Sequence, residues 1–345
     1  MHRKLGILSG CVALMILIFD SACALKSARE ALQQCLFTVA PTILPYMVLS
    51  AYLTGAVCSM RVGLFRQISK ILRIPPGSEG LFLLGFLGGY PSGAQAVDFC
   101  CRNGQLSRSD AKRMLPLCSN AGPAFLFGIA AQAFSSPVAG FYLWGILFAS
   151  AMITGMLFPG RCSQKEIPSS GKTTLPKAVA SACKATALVC SWIIFVRIFL
   201  SFLQRWVLWL LPKTIEVTLF GLLELATGCI SLMEISDEKL RFVLACVMLS
   251  FGGICVLMQT ASVAPTTGLG YYFPGKVLQA LVAGMLGCAL CGWVIPCIIF
   301  SIGASVMIAF LWIREKKTVA FSEKILYNGG RKRKRGMIYA VPKKD

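Results

Sequence analysis

Residues 81–98 read Leu81-Phe82-Leu83-Leu84-Gly85-Phe86-Leu87-Gly88-Gly89-Tyr90-Pro91-Ser92-Gly93-Ala94-Gln95-Ala96-Val97-Asp98. The stretch opens as a membrane helix and stops being one halfway. Proline has no N–H to donate and clashes with the preceding turn, and glycine adds backbone entropy that a helix must remove. The run is also too short and too glycine-rich for a comfortable crossing. Irregular backbone at membrane depth survives only when buried in protein or facing a wet cavity. Residues 81–98 therefore read as re-entrant, a broken-helix hairpin that dips into the bilayer and returns.

Composition supplies the bilayer. Of 345 residues, 56% are apolar and 14% charged, where a soluble domain carries about 25% charged residues. That excludes a soluble enzyme, a disordered chain and a conventional nucleic-acid binder. The single histidine is His2, and neither a Walker loop nor a nucleophile with a base is present, so no enzyme activity and no cofactor are expected. Most of the 16 cysteines stand in apolar runs (Cys11, Cys190, Cys246, Cys255, Cys297), where a thiol is a small hydrophobe. Cys288 and Cys291 have metal or redox spacing but no second pair or nearby histidine, so no metal site is expected.

Outward from 81–98, the chain divides as follows. Residues 1–30 carry a first transmembrane helix, apolar over 5–25 and read as retained rather than cleaved. The first repeat, 31–158, holds a span at 36–60 with Pro41 and Pro45, a basic amphipathic helix at 61–75, the re-entrant segment, a basic loop from Arg102 to Arg113, and spans 114–134 and 138–158. A basic loop, 159–184, follows. The second repeat, 185–293, holds span 185–211, a second short segment at 217–232, the acidic loop 233–239, and spans 240–264 and 276–293. A final helix covers 294–313. The tail, 314–345, carries 11 Lys and Arg, including Arg331-Lys332-Arg333-Lys334-Arg335, and is expected to lie on anionic lipid rather than nucleic acid.

Basic segments face the cytoplasm. That rule accommodates the chain only if 81–98 dips in from inside and 217–232 from outside. The expected fold is an all-α polytopic membrane protein with about eight transmembrane helices and two re-entrant hairpins, both termini cytoplasmic. Its halves then have the same order in opposite orientation, the arrangement of inverted-repeat transporters. Pro91-Ser92-Gly93-Ala94 is echoed by Ala226-Thr227-Gly228-Cys229, and Ser119-x-x-Gly122 by Ser250-x-x-Gly253.

Helix breaks concentrate the candidate site, since freed N–H groups receive anions and freed carbonyls bind cations. Tyr90, Ser92, Gly93, Gln95, Ser119, Asn120, Gly122, Thr227, Gly228 and Gln259 are the substrate candidates. The plain alternatives are close packing for the glycines and helix-to-helix hydrogen bonding for Asn120 and Gln259. Glu224 is ionisable inside an apolar segment, a position that costs at least about 2.5–3.5 kcal/mol for comparable residues. It reads as a proton- or sodium-coupling group, as a partner of Arg197, or as a shallow residue near the outer surface. Asp98 reads as a cation ligand or a solvated loop edge.

The pair Gly85-Phe86-Leu87-Gly88-Gly89-Tyr90-Pro91-Ser92-Gly93-Ala94 and Ser119-Asn120-Ala121-Gly122-Pro123-Ala124-Phe125-Leu126-Phe127-Gly128 resembles the YlbJ family of sporulation integral membrane proteins, within the nucleoside-recognition, or Gate, domain proteins. Glu224-Leu225-Ala226-Thr227-Gly228 and Phe251-Gly252-Gly253 with Gln259 resemble it too, and the likeness covers roughly residues 30–310. It implies the cell membrane of an endospore-forming bacterium and nucleoside-transporter-like architecture. It further implies a small aromatic dicarboxylate, dipicolinate, or a nucleoside as cargo. Gln95 departs from the family, which often has lysine there, and so removes a positive charge from an anion site.

Overall fold

The computed structural model describes residues 2–57, 65–160 and 173–338, and these fold as helices joined by short turns, with no strand among them. In chain order they are α1 (His2–Phe19), α2 (Ser21–Gln34), α3 (Ala40–Val57), α4 (Phe65–Leu72), α5 (Glu79–Gly88), α6 (Ser92–Arg102), α7 (Arg108–Cys118) and α8 (Pro123–Gly128). Then come α9 (Val138–Leu157), α10 (Leu175–Trp206), α11 (Lys213–Leu223), α12 (Leu225–Ser231), α13 (Glu238–Phe251), α14 (Gly253–Val263), α15 (Tyr272–Leu290) and α16 (Val294–Ile338). Among the described residues, six helices are long and apolar enough to cross a membrane: Ser21–Thr54, Val138–Leu157, Leu175–Trp206, Glu238–Val263, Tyr272–Leu290 and Val294–Lys317. α16 turns Ile295, Ile298, Ile299, Ile302, Val306 and Phe310 outward. Such an unbroken apolar face suits lipid and not water.

Two of the eight expected spans are differently built. Segment 5–25 is divided at Asp20, whose carboxylate caps α2 by accepting from Cys23 N at 3.4 Å. α2 then continues through a wide π turn, Cys35–Val39, into α3. That turn lies just before Pro41 and Pro45, which cannot donate to the helix ladder. Segment 114–134 is not one helix either, because Ser119–Gly122 separates α7 from α8 and Ala130–Ala133 forms a 3₁₀ turn. α10 begins at Leu175, so Lys177 and Lys184 belong to a helix and not to the expected loop. Only part of that loop is described, since 161–172 are outside the described residues. The lipid contact expected of the tail falls on side chains outside them as well. The amphipathic segment is present as α4, with Ser69 and Leu72 buried and Arg66 and Lys70 exposed.

Both short segments fold back on themselves. A Cβ on Gly93 would stand 2.8 Å from Gly85 Cα, and one on Gly228 2.1 Å from Gly221 Cα. Residues seven or eight apart lie more than 10 Å apart along a straight helix, so α5–α6 and α11–α12 are helical hairpins. Each is followed by a broken helix, α7–α8 and α13–α14, and then by a long one, α9 and α15. The long helices that precede and follow these units pair with each other. Cys23 meets Ser201 at 3.6 Å, Cys35 meets Cys190 at 3.8 Å and Met47 meets Thr186 at 3.6 Å, so α2–α3 and α10 run antiparallel. Gly275, in the first turn of α15, meets Phe158 just past the end of α9, and the two helices pack along each other in opposite directions.

The polar residues sort to two ends. At one, Asp98 Oδ1 accepts from Thr266 N at 3.0 Å and Trp312 Nε1 donates to Leu157 O at 3.2 Å. Arg113, buried, donates to Phe158 O (2.8 Å), Pro159 O, Leu72 O (3.1 Å) and Gly155 O (3.3 Å) at the same end. Arg66, Lys70 and Arg73, in and just after α4, and Arg102 and Arg108, either side of the α6–α7 turn, are exposed. At the other end Arg241 donates to Ala133 O at 2.6 Å and Lys239 to Cys291 O at 3.3 Å. Lys213 bridges Glu216 and Glu234, both at 2.9 Å, and those carboxylates hold its ammonium above the ordinary lysine range.

Candidate functional site

The tips of the two hairpins meet the helix breaks. In the first, Gly89 takes a positive φ of 74°, and a Cβ there would lie 2.8 Å from Gly122 N. Only glycine allows both that conformation and that approach. Beyond it, Tyr90 reaches into the other half of the chain: its hydroxyl donates to Leu249 O at 3.3 Å and its ring lies against Gly252. In the second, Glu224 occupies the break between α11 and α12 and is buried. Its carboxylate accepts from Ala226 N (3.0 Å), Thr227 N (2.7 Å) and Thr227 Oγ1 (2.5 Å), an N-terminal cap in which the helix start receives a negative charge. Arg197 from α10 donates to the same threonine hydroxyl at 2.8 Å. Arg197 and Glu224 are thus joined through Thr227.

A cavity of about 50 Å³ lies between the tips, lined by Gly88, Gly89, Tyr90, Gly122, Glu224 and Gln259 among apolar side chains. That volume admits a few waters and falls far short of the several hundred Å³ of a typical metabolite site. The conformation is therefore closed around its centre.

Behind Tyr90 lies a residue whose role the sequence reading did not register. Lys276, on α15, is 1% exposed. Its ammonium donates to Ser119 O at 2.9 Å, Asn120 Oδ1 at 3.3 Å and Gln279 Oε1 at 2.6 Å. It also stands over the Tyr90 ring, 5.2 Å from the centroid, at cation–π distance. Gln279 Nε2 donates to Asn120 Oδ1 at 2.8 Å, Asn120 Nδ2 donates to Leu117 O at 2.8 Å, and Ser119 and Thr260 each bond the Tyr272 hydroxyl, at 3.3 and 3.2 Å. One signal could have found it. Lys276 and Gln279 are polar at a spacing of three in the apolar run 273–290, so they share a helix face. With the helix starting at Tyr272, that face lies a full turn inside.

Of the sequence candidates, Tyr90, Gly122, Glu224 and Gln259 share the cavity, and Ser119 and Asn120 hold Lys276 beside it. Thr227 lies under Glu224. Ser92 bonds back to Gly89 O at 2.8 Å, while Gly93 and Gly228 serve backbone contacts. Gln95 donates to Ser181 Oγ at 2.8 Å and Asp98 is paired with Arg102 at 2.8 Å, both away from the cavity.

Apolar helices long enough to cross a bilayer, with ionisable residues buried among them, define a multi-pass integral membrane protein. The chain is YlbJ-like. It is similar to the sporulation integral membrane protein YlbJ of Bacillus subtilis (strain 168), 24% identical in an alignment covering 72% of this chain and 72% of the relative. No protein-family model matches the chain, and no solved structure matches it.

Proposed function

We propose that this chain is a secondary-transporter-like protein of the bacterial cell membrane. It moves a small polar or anionic metabolite, dipicolinate-like or nucleoside-like, by alternating access during spore formation, and carries out no chemistry on it. The convergence of both hairpin tips on one cavity beside the helix breaks, with Tyr90 of the first half reaching Leu249 and Gly252 of the second and Glu224 buried in the lining, is the observation that carries this reading. Broken helices meeting at a repeat interface are where transporters bind substrate and coupling ion. The antiparallel pairing of α3 with α10 and of α9 with α15 supports inverted repeats, since an axis in the membrane plane relates equivalent helices in opposite directions. The basic end, with both termini, then faces the cytoplasm. Glu224 couples transport to H⁺ or Na⁺, and a closed centre is one stage of the cycle. The similarity to a sporulation protein supports the setting.

A second reading, a non-transporting scaffold for spore-envelope assembly, draws on the complete bonding of Glu224 as a helix cap. Proteoliposomes carrying the purified protein separate the two. Labelled dipicolinate and uridine would be offered across imposed pH and Na⁺ gradients. A transporter takes up one of them saturably, and Glu224→Gln lowers gradient-driven uptake at least about tenfold, or 1.4 kcal/mol. A scaffold shows no uptake and tolerates Glu224→Gln and Asn120→Ala alike.

A further inference from the structure

Lys276 presents a charge problem that its hydrogen bonds do not solve. All three ammonium protons have acceptors, but Ser119 O, Asn120 Oδ1 and Gln279 Oε1 are neutral. Among the described residues no carboxylate forms an ion pair with it. A glutamine could donate to Ser119 O without bringing a charge into the apolar interior, where an uncompensated ion is costly. The C-terminal end of α7 offsets part of that cost. The remainder is the field of a cation lying one aromatic ring away from the cavity.

The cavity's other pole has the opposite sign. Glu224 lines it directly, and Gln259 beside it has only the weak acceptor Cys255 Sγ, at 3.3 Å, for its amide. The groups facing Glu224 are Arg197 from α10, through Thr227, and the thiols of Cys35, Cys229 and Cys255 from the π turn, α12 and α14. Those facing Lys276 are Tyr90 and, on its own helix, Tyr272 and Gln279, with Ser119 and Asn120 from the first break.

We propose that Lys276 is the counter-charge for a carboxylate of the transported metabolite, with Tyr90 as a movable cover between them, and that Glu224 must bind a proton before the anion is held. This rests on the transport reading and narrows it from a choice of cargoes to an anion. The charges set the linkage. A carboxylate entering between the poles is attracted by Lys276 and repelled by ionised Glu224, so protonating Glu224 strengthens binding. Anion affinity rises as pH falls.

Binding measured without transport tests it. The full-length protein in nanodiscs would be equilibrated with labelled dipicolinate, its uncharged diamide, or uridine. The dicarboxylate is expected to bind, and more tightly at pH 6 than at pH 8, while the other two bind at least about tenfold more weakly. Lys276→Gln keeps a donor for Ser119 O and should lose roughly 30-fold or more in dicarboxylate affinity. Lys276→Arg should retain most of it, and Glu224→Gln should lose the dependence of binding on pH. Should Lys276→Gln fail to fold, the wild-type preference for charge and the pH response of Glu224→Gln still decide. Equal binding of diamide and dicarboxylate, no binding of either, or unchanged affinity in folded Lys276→Gln overturns the proposal. Charge-selective binding without uptake in proteoliposomes leaves Lys276 as the counter-charge of a bound anion and overturns its transport, together with the transport reading. Saturable uridine uptake indifferent to Lys276→Gln does the reverse.

Discussion

Gly93 has no room for even a methyl group: a Cβ there would sit 1.7 Å from Cys118 O and 2.8 Å from Gly85 Cα, backbone atoms that cannot step aside. Gly93→Ala should therefore cost at least about 3 kcal/mol, the upper range for overpacking, read as a lower unfolding midpoint in detergent. Gly145, in the middle of α9, has nothing within 4 Å of the same position. Gly145→Ala should be neutral or slightly stabilising through helix propensity. The threonine between Arg197 and Glu224 makes a second contrast. Thr227→Val removes a hydroxyl that gives to one charge and takes from the other, and should cost about 1–3 kcal/mol. Thr227→Ser should restore it, as the same unfolding measurement would report. These residues were legible to different degrees. Glu224 stood out because a carboxylate in an apolar run is conspicuous, whereas Lys276 looked like the edge of a segment. Its depth depends on where α15 starts and on what covers that start, which are tertiary facts.

Breaks were easier to see than boundaries. Gly-Gly, Pro and Asn defeat a helix wherever they fall, so 81–98, 119–122 and 224–228 were readable as interruptions. Whether an interruption kinks a span or reverses the chain depends on what the flanking turns touch. Residues 114–134 thus read as one interrupted span, and the approach of Gly122 to Gly89 shows what the interruption packs against. Nor did the sequence reveal that Arg113, read as part of a polar loop, ties α7 to the end of α9 and to the last residue of α4. Removing it leaves several buried carbonyls without a donor. Arg113→Ala should cost about 2–4 kcal/mol. Arg113→Lys should recover little, because an ammonium lacks the planar fork that reaches both sides. Chemical denaturation of the three proteins in detergent would rank them.

At the scale of the whole chain, composition was sufficient for the class, because 14% charge cannot cover a soluble surface of this size. The exposed apolar side chains along α16 bear that out. Orientation is checked by single cysteines in a cysteine-depleted background treated with an impermeant thiol reagent. Sites in 233–239 should label from outside and sites in 102–113 should not. Labelling of 102–113 from outside would remove the inverted-repeat argument. Lys276 and the carbonyl of Ser119 also have a consequence for biosynthesis, since 157 residues separate them in the chain. At about 5–20 residues per second, the ribosome needs roughly 10–30 seconds to make the second after the first. For that interval the early half waits in the bilayer with its break uncovered and its tyrosine tip unseated. It is then a substrate for membrane proteases and a client for whatever holds unfinished helices. A chain terminated before α10 should be degraded, and co-expressing the missing half should rescue it.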